Sequence, residues 1–132
     1  MGKKPAVFIS SSADLISSIA SFPLGTRIIF ISGTASIRGE QTVGSGNPSE
    51  QTEITIDNIK QLYSDKVLSK ISNGDLVPKY GHARVYIKDR KDFSKIRRTF
   101  KSHFGNLPVV YIIADICRND LLVEIEGKVI LE

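Results

Sequence analysis

The sequence predicts one α/β (α+β) domain, a mixed β-sheet with two long helices packed on one of its faces. Three observations carry this expectation. The chain has 132 residues, 41% apolar and 24% charged, which suits one globular domain with its own core. Two stretches, 48–71 and 92–104, repeat apolar residues at helical spacing. Around them lie apolar, β-branched runs of strand length.

In chain order, Ala6 to Ile9 is β-prone and ends at Ser10-Ser11-Ser12, predicting a short first strand. Asp14 can cap one or two helical turns bearing Leu15, Ile16 and Ile19, ended by Pro23 and Gly25. Arg27 to Ser32 is a continuous run between Gly25 and Gly33 and predicts a buried strand, with Thr34 to Ile37 continuing as a hairpin arm. From Arg38 to Pro48 the chain is a loop holding Gly39, Gly44 and Gly46. Such composition suits positive-φ turns, either as a plain surface loop or one that contacts a ligand. It has neither a GKS/T ending nor GxGxxG spacing, which excludes a nucleotide-phosphate motif.

Pro48 and Ser49 start the first long helix, with Glu50 and Glu53 placing negative charge in its first turns. Ile56, Ile59, Tyr63, Val67 and Ile71 form its apolar stripe, and Asn73-Gly74 stops it. Ala83 to Asp89 alternates as a strand. Asp92 caps the second long helix, whose Phe93, Ile96, Phe100 and Phe104 face one way; Gly105 closes it and Pro108 forbids its continuation. Val109 to Ile116 and Leu121 to Leu131 are the last two strands, joined by a polar turn at Arg118-Asn119-Asp120. Two crossover helices cover one sheet face. The other face would be a large apolar patch in a lone domain, which predicts self-association.

Eighteen basic against fourteen acidic residues leave a net charge of +4; this permits anionic partners without naming one. One cysteine, Cys117, excludes an internal disulfide framework and a thiolate zinc site. His82 and His103 are the two histidines, no carboxylates stand at ligand spacing from them, and no metal or other cofactor is expected. Apolar runs fall short of the ~20 residues that cross a bilayer, and the basic start at Met1 lacks an apolar signal core, so no membrane partner and a cytoplasmic location are expected.

The last strand carries the strongest chemical signal. Glu124, Glu126 and Lys128 share one face of an otherwise apolar strand. Carboxylates in such a setting become general acids or bases when desolvated; the plainer reading is a salt-bridged row. A second concentration is basic: Arg84, Lys88, Arg90, Lys91, Lys95, Arg97, Arg98 and Lys101. On the second helix these lie opposite the phenylalanines, as a phosphate-backbone stripe or, more simply, a solvated face. No aromatic is interleaved on the basic face to stack bases. Cys117 beside Arg118 could be an activated thiol, although no histidine lies nearby in sequence, and a plain strand-end cysteine is simpler. His82 could shuttle protons, a lesser reading.

Several segments are familiar as a set. Ile31-Ser32-Gly33, Asn58-Ile59, Val85 to Phe93, the helix through Phe104-Gly105, and Leu122 to Glu126 resemble the Rid family, also called YjgF or L-PSP. That resemblance implies a chorismate-mutase-like homotrimer with ligand clefts between subunits. Phe30 to Ile37 with Gly39, Gln51-Thr52, Ala114 to Arg118, and Asp120 to Glu126 are similar, further, to the C-terminal half of chorismatases. It implies that Glu124 is the catalytic acid that protonates an enolpyruvyl methylene. Ser32, Gly33, Thr34, Cys117, Arg118 and Glu126 would then bind a small anionic metabolite such as chorismate. Two positions depart from these patterns. Val109 stands where Rid imine deaminases carry a carboxylate-binding arginine, and Gly39-Glu40-Gln41 replaces the chorismatase Gly-His-Glu. Imine deamination, and a non-catalytic module binding a small ligand or, through the basic helix, RNA, are the alternative readings, nucleic acid being the less favoured partner.

Overall fold

A computed structural model describes residues 27–70 and 77–131. The expected strand at Ala6 to Ile9, the turns after Asp14 and the stop at Asn73-Gly74 lie outside the described residues. Within them, strand β1 spans Arg27–Ala35, and a two-residue hairpin pairs β2, Ile37–Arg38, with β3, Gln41–Thr42. Helix α1, Pro48–Leu62, and a single turn α2, Asp65–Leu68, lead to strand β4, Pro78–Ile87. A 3₁₀ turn at Arg90–Asp92 opens helix α3, Phe93–Phe104, and strands β5, Val109–Ile113, and β6, Val123–Leu131, complete the chain.

The four long strands form one mixed sheet in the order β1-β6-β4-β5, with β4 and β5 parallel and β6 antiparallel to both its neighbours. The parallel pair is joined through α3, as a crossover connection requires. Both long helices lie on one face. Ile56 and Ile59 of α1 and Ile96 and Phe100 of α3 are fully buried against Ile29, Ile31, Val85, Val123 and Ile125. The odd-numbered residues of β6 thus point into the core, with Gly127 the exception in kind.

Gly127 has its own reason. A Cβ there would collide with the His82 carbonyl and the Tyr80 hydroxyl. Tyr80 is 5% exposed, packs against Tyr63 and Phe104, and sits just before an irregularity in the β4–β6 register at Gly81.

Four sequence expectations are corrected, and the simplest is that the strand read at Ala83 to Asp89 starts earlier, at Pro78, and ends at Ile87. The first long helix does not run on to Ile71 but ends at Leu62: Tyr63 leaves helical geometry, Ser64 is extended, and Ser64-Asp65 begins a new turn. Leu68, not Val67, then faces the core. Thr34 to Ile37 is not one hairpin arm; β1 continues through Ala35, and Ile37–Arg38 alone turn into the hairpin. The penultimate strand stops at Ile113 rather than Ile116, and the last begins at Val123 rather than Leu121. At both ends the chain leaves the ladder for a loop tied down by side chains.

Two predictions follow from this packing. Gly127→Ala should lower unfolding free energy in urea by about 3 kcal/mol, because neither backbone nor a clamped tyrosine yields readily. Desolvation by burial, reinforced by Tyr63 and Glu126, pushes the Tyr80 hydroxyl far above its ordinary value of 10. A raised folded-state value means that this stability is fully present below pH 10 and is lost as pH climbs towards the folded value. Melting temperature should therefore fall above pH 10, and less steeply in Tyr80→Phe; parallel curves would refute this.

Candidate functional site

The site grows from one irregularity. In the β1–β6 ladder Ile31 pairs with Gly127 and Thr34 with Ile125, so Ser32 and Gly33 together oppose Glu126. This is a β-bulge, which redirects the strand and places extra backbone beside its partner. It brings Gly33 over Glu124. A Cβ on Gly33 would lie 2.5 Å from Glu124 Oε2, so only glycine lets the carboxylate seat there. Glu124 is 2% exposed, paired with Ala35 on one side and Tyr86 on the other. The Thr34 hydroxyl donates to the Ser32 carbonyl at 3.0 Å and closes the bulge.

One turn of the pleat away, Glu126 is held differently. Its Oε1 accepts from the Tyr86 hydroxyl at 2.7 Å and from Arg84 Nη1 at 3.3 Å. The salt-bridged row expected of these glutamates is thus realised at Glu126, with Arg84 rather than Lys128 or the helix. The Tyr86 hydrogen bond and the charge of Glu126 hold the Arg84 guanidinium above its ordinary value. Phe30, Ser32, His82, Arg84, Glu126 and Lys128 line a concavity of about 310 Å³ on the sheet face turned away from the helices. Lys128 Nζ lies over the Phe30 ring at 5.8 Å.

The structure brings together Ser32, Gly33, Thr34, Glu124 and Glu126. It places Cys117 and Arg118 in the connection between β5 and β6. Cys117 is exposed. Arg118 Nη1 donates to the Glu40 carbonyl at 2.9 Å and to Thr42 Oγ1 at 3.4 Å, and its own carbonyl accepts from Lys88 Nζ at 2.8 Å. Arg118 therefore ties the β2–β3 hairpin to the approach of β6. Val109 begins β5 beside Ala83, half-buried, and offers no cation for a carboxylate.

Sequence reasoning assigned no role to the residue that holds this region hardest. Gln51, fully buried in α1, donates from Nε2 to the Asp120 carbonyl at 2.7 Å and accepts at Oε1 from the Leu122 N–H at 2.8 Å. It thereby fixes the chain two residues before Glu124. Asn58 similarly donates to the Ala35 and Ile37 carbonyls, each at 3.0 Å, and holds the end of β1. A signal existed: Gln51, Thr52 and Thr55 are polar residues on the buried, apolar-phased side of α1. Two hydroxyls satisfy themselves on carbonyls of their own helix, which leaves Gln51 as the side chain that reaches out.

With this geometry in view, the comparisons with known proteins become specific. No family model matches the chain. It is 36% identical over 110 residues to a chorismatase from Streptomyces hygroscopicus, an alignment covering 81% of this chain and 32% of that protein. A RutC family protein from Pyrococcus abyssi is 30% identical over 104 residues, covering 76% of each. A chorismatase crystal structure superimposes with a TM-score of 0.69 at 34% identity, over 77% of this chain and 32% of the other. The chain belongs to the RutC family, the Rid or YjgF fold, in a chorismatase-like form. It spans about a third of the length of the curated chorismatases it matches.

Gln51→Ala leaves a buried carbonyl and a buried N–H without partners and should cost about 2–3 kcal/mol. Hydrogen exchange should show the loss concentrated at residues 118–124. A loss spread evenly over the sheet would argue against the clamp.

Proposed function

We propose that this domain acts on a small anionic metabolite of the chorismate type, in a cleft completed by a second copy of the chain in a homotrimer. The observation that carries the reading is the Glu124 carboxyl seated under Gly33, in a chain 36% identical to a chorismatase across this region. Self-association is supported by the sheet face away from the helices, where Phe30 is 42% and Val110 50% exposed. A cytoplasmic location goes with the exposed, unpaired thiol of Cys117, which suits a reducing compartment.

In this reading Glu124 gives its proton to the methylene carbon of an enolpyruvyl ether. The adjacent ether carbon becomes oxocarbenium-like, water adds to it, and the hemiketal collapses to pyruvate and the ring alcohol. Glu126 is spent on Tyr86 and Arg84, so it shapes the site rather than moving a proton. Arg84 and Lys128 supply positive charge near the bulge for the substrate carboxylates, and His82 lines the same concavity. Glu124 is shielded within one protomer, so the Ser32–Gly33 bulge must shift to expose it, and glycine gives the backbone that freedom. Imine deamination finds less support, since Val109 leaves no guanidinium for the carboxylate.

The test is a thermal-shift titration with chorismate, run beside light scattering and a coupled assay for pyruvate. Chorismate should raise the melting temperature of a trimer progressively with its concentration, and beyond saturation of the site. Glu124→Gln should keep that shift and lose at least about 100-fold in pyruvate release. Full turnover in the variant would remove Glu124 from the chemistry, and the absence of any shift would remove chorismate.

A further inference from the structure

From its outer surface we infer a second binding activity, independent of the Glu124 site: α3 and the turn before it form a docking stripe for the phosphodiester backbone of a double-stranded nucleic acid. Between Lys88 and Lys101 stand seven cations and two carboxylates, a net +5 in a chain whose total is +4. The remainder of the chain is thus close to neutral, and the whole excess sits on the segment that leads from the end of β4 through α3. Arg90, Lys91, Lys95, Arg97, Arg98 and Lys101 are all exposed, and among the described residues none has an ion-pair partner. Of the two carboxylates, Asp92 is buried at the start of the helix and Asp89 precedes the stripe.

An ordinary solvated face looks different, and α1 supplies the comparison within the same molecule. Its exposed Glu53, Asp57 and Lys60 mix both signs; Asp57 pairs with Arg38 at 3.0 Å and Glu53 with His103 at 2.6 Å. On α3, Lys91–Lys95, Lys95–Arg98, Arg97–Lys101 and Arg98–Lys101 stand three or four residues apart and repel. Apart from the N-cap Asp92, the start of the helix holds no acidic residue and is flanked by Arg90 and Lys91, cations at the end where the helix dipole favours anions. Each choice weakens the free helix, and each is reversed when an anion lies along it.

The form of the stripe selects the partner. Lys91, Lys95, Arg98 and Lys101 extend over about 15 Å of helix, where a duplex presents a charge every ~1.7 Å. The aromatic residues of α3, Phe93, Phe100 and Phe104, pack inward on Tyr111, Tyr80 and one another. The basic face therefore has no ring on which unpaired bases could stack and no apolar residue to enter a bilayer. It fits a regular, fully paired backbone read without regard to sequence.

Fluorescence anisotropy with a labelled 20-base-pair DNA duplex tests this. Four phosphate contacts give a slope near −3.6 in log K against log salt, or about 100-fold weaker binding at 200 mM than at 50 mM. Lys95→Glu/Arg98→Glu should abolish binding at 50 mM salt while its melting temperature stays level or rises, because like-charge pairs are removed. Lys66→Glu/Lys70→Glu, the same charge change on exposed residues at and just after α2, should bind within about threefold of the unaltered protein. Arg98→Ala should shift affinity in the same direction as the double reversal, by less. Equal losses from both double variants would reduce the effect to net charge and overturn the stripe. Preference for a single strand of equal length, or binding to phosphatidylserine vesicles but not to duplex, would overturn the choice of partner.

Discussion

The last strand of the chain lies in the interior of the sheet, and the molecule is organised around its two ladders. β6 pairs antiparallel with β1 along one edge and with β4 along the other. Its inward residues Val123, Ile125, Val129 and Leu131 are the centre of the core on which both helices lie. Its outward residues Glu124, Glu126 and Lys128 form the middle of the opposite face. A strand with two partners has no freedom to slide, because a shift of one residue would exchange those two sets. The positions of the glutamates are therefore consequences of core packing.

The bulge at Ser32–Gly33 is where this register meets the site. Ahead of it β1 follows the regular alternation; beyond it the ladder is offset by one residue and Ala35 comes opposite Glu124. Gly33 leaves room for that carboxylate, which occupies the place a Cβ would take. Gln51 holds the same region from the helix layer by taking the Asp120 carbonyl and the Leu122 N–H. Arg118 and Lys88 hold it from the loops. A buried carboxyl in a chain of 132 residues thus draws on β1, α1, β4 and β6 at once.

The two surfaces of the domain differ in character. The sheet face away from the helices is mixed, with exposed Phe30 and Val110 beside Arg84 and Glu126, and suits contact with copies of the chain and with a small ligand. The outer side of α3 is uniformly basic and has no apolar component. Because the helices lie between core and solvent on the opposite side of the sheet, assembly through the sheet leaves that basic side free. Kinship with chorismatases bears on the first surface alone, and the charge distribution bears on the second.

Local chemistry made much of this legible in the sequence. The phenylalanine spacing of α3, the positive-φ Gly105 that ends it, and the alternation of β6 each depend on neighbours a few residues away. The resemblance of several segments to a known family likewise pointed to Glu124, Ser32, Gly33, Thr34 and Glu126, which the fold brings close together. What the sequence could not decide is carried by contacts between distant segments. The break after Leu62 depends on where Leu68 finds the core, and the destination of the Arg118 guanidinium on a hairpin 78 positions earlier. The role of Gln51 rests on hydrogen bonds spanning 69 and 71 positions. Periodicity reports which side of an element is apolar; only the tertiary structure decides which backbone groups a buried amide must satisfy, because that depends on which loop the sheet order delivers to it.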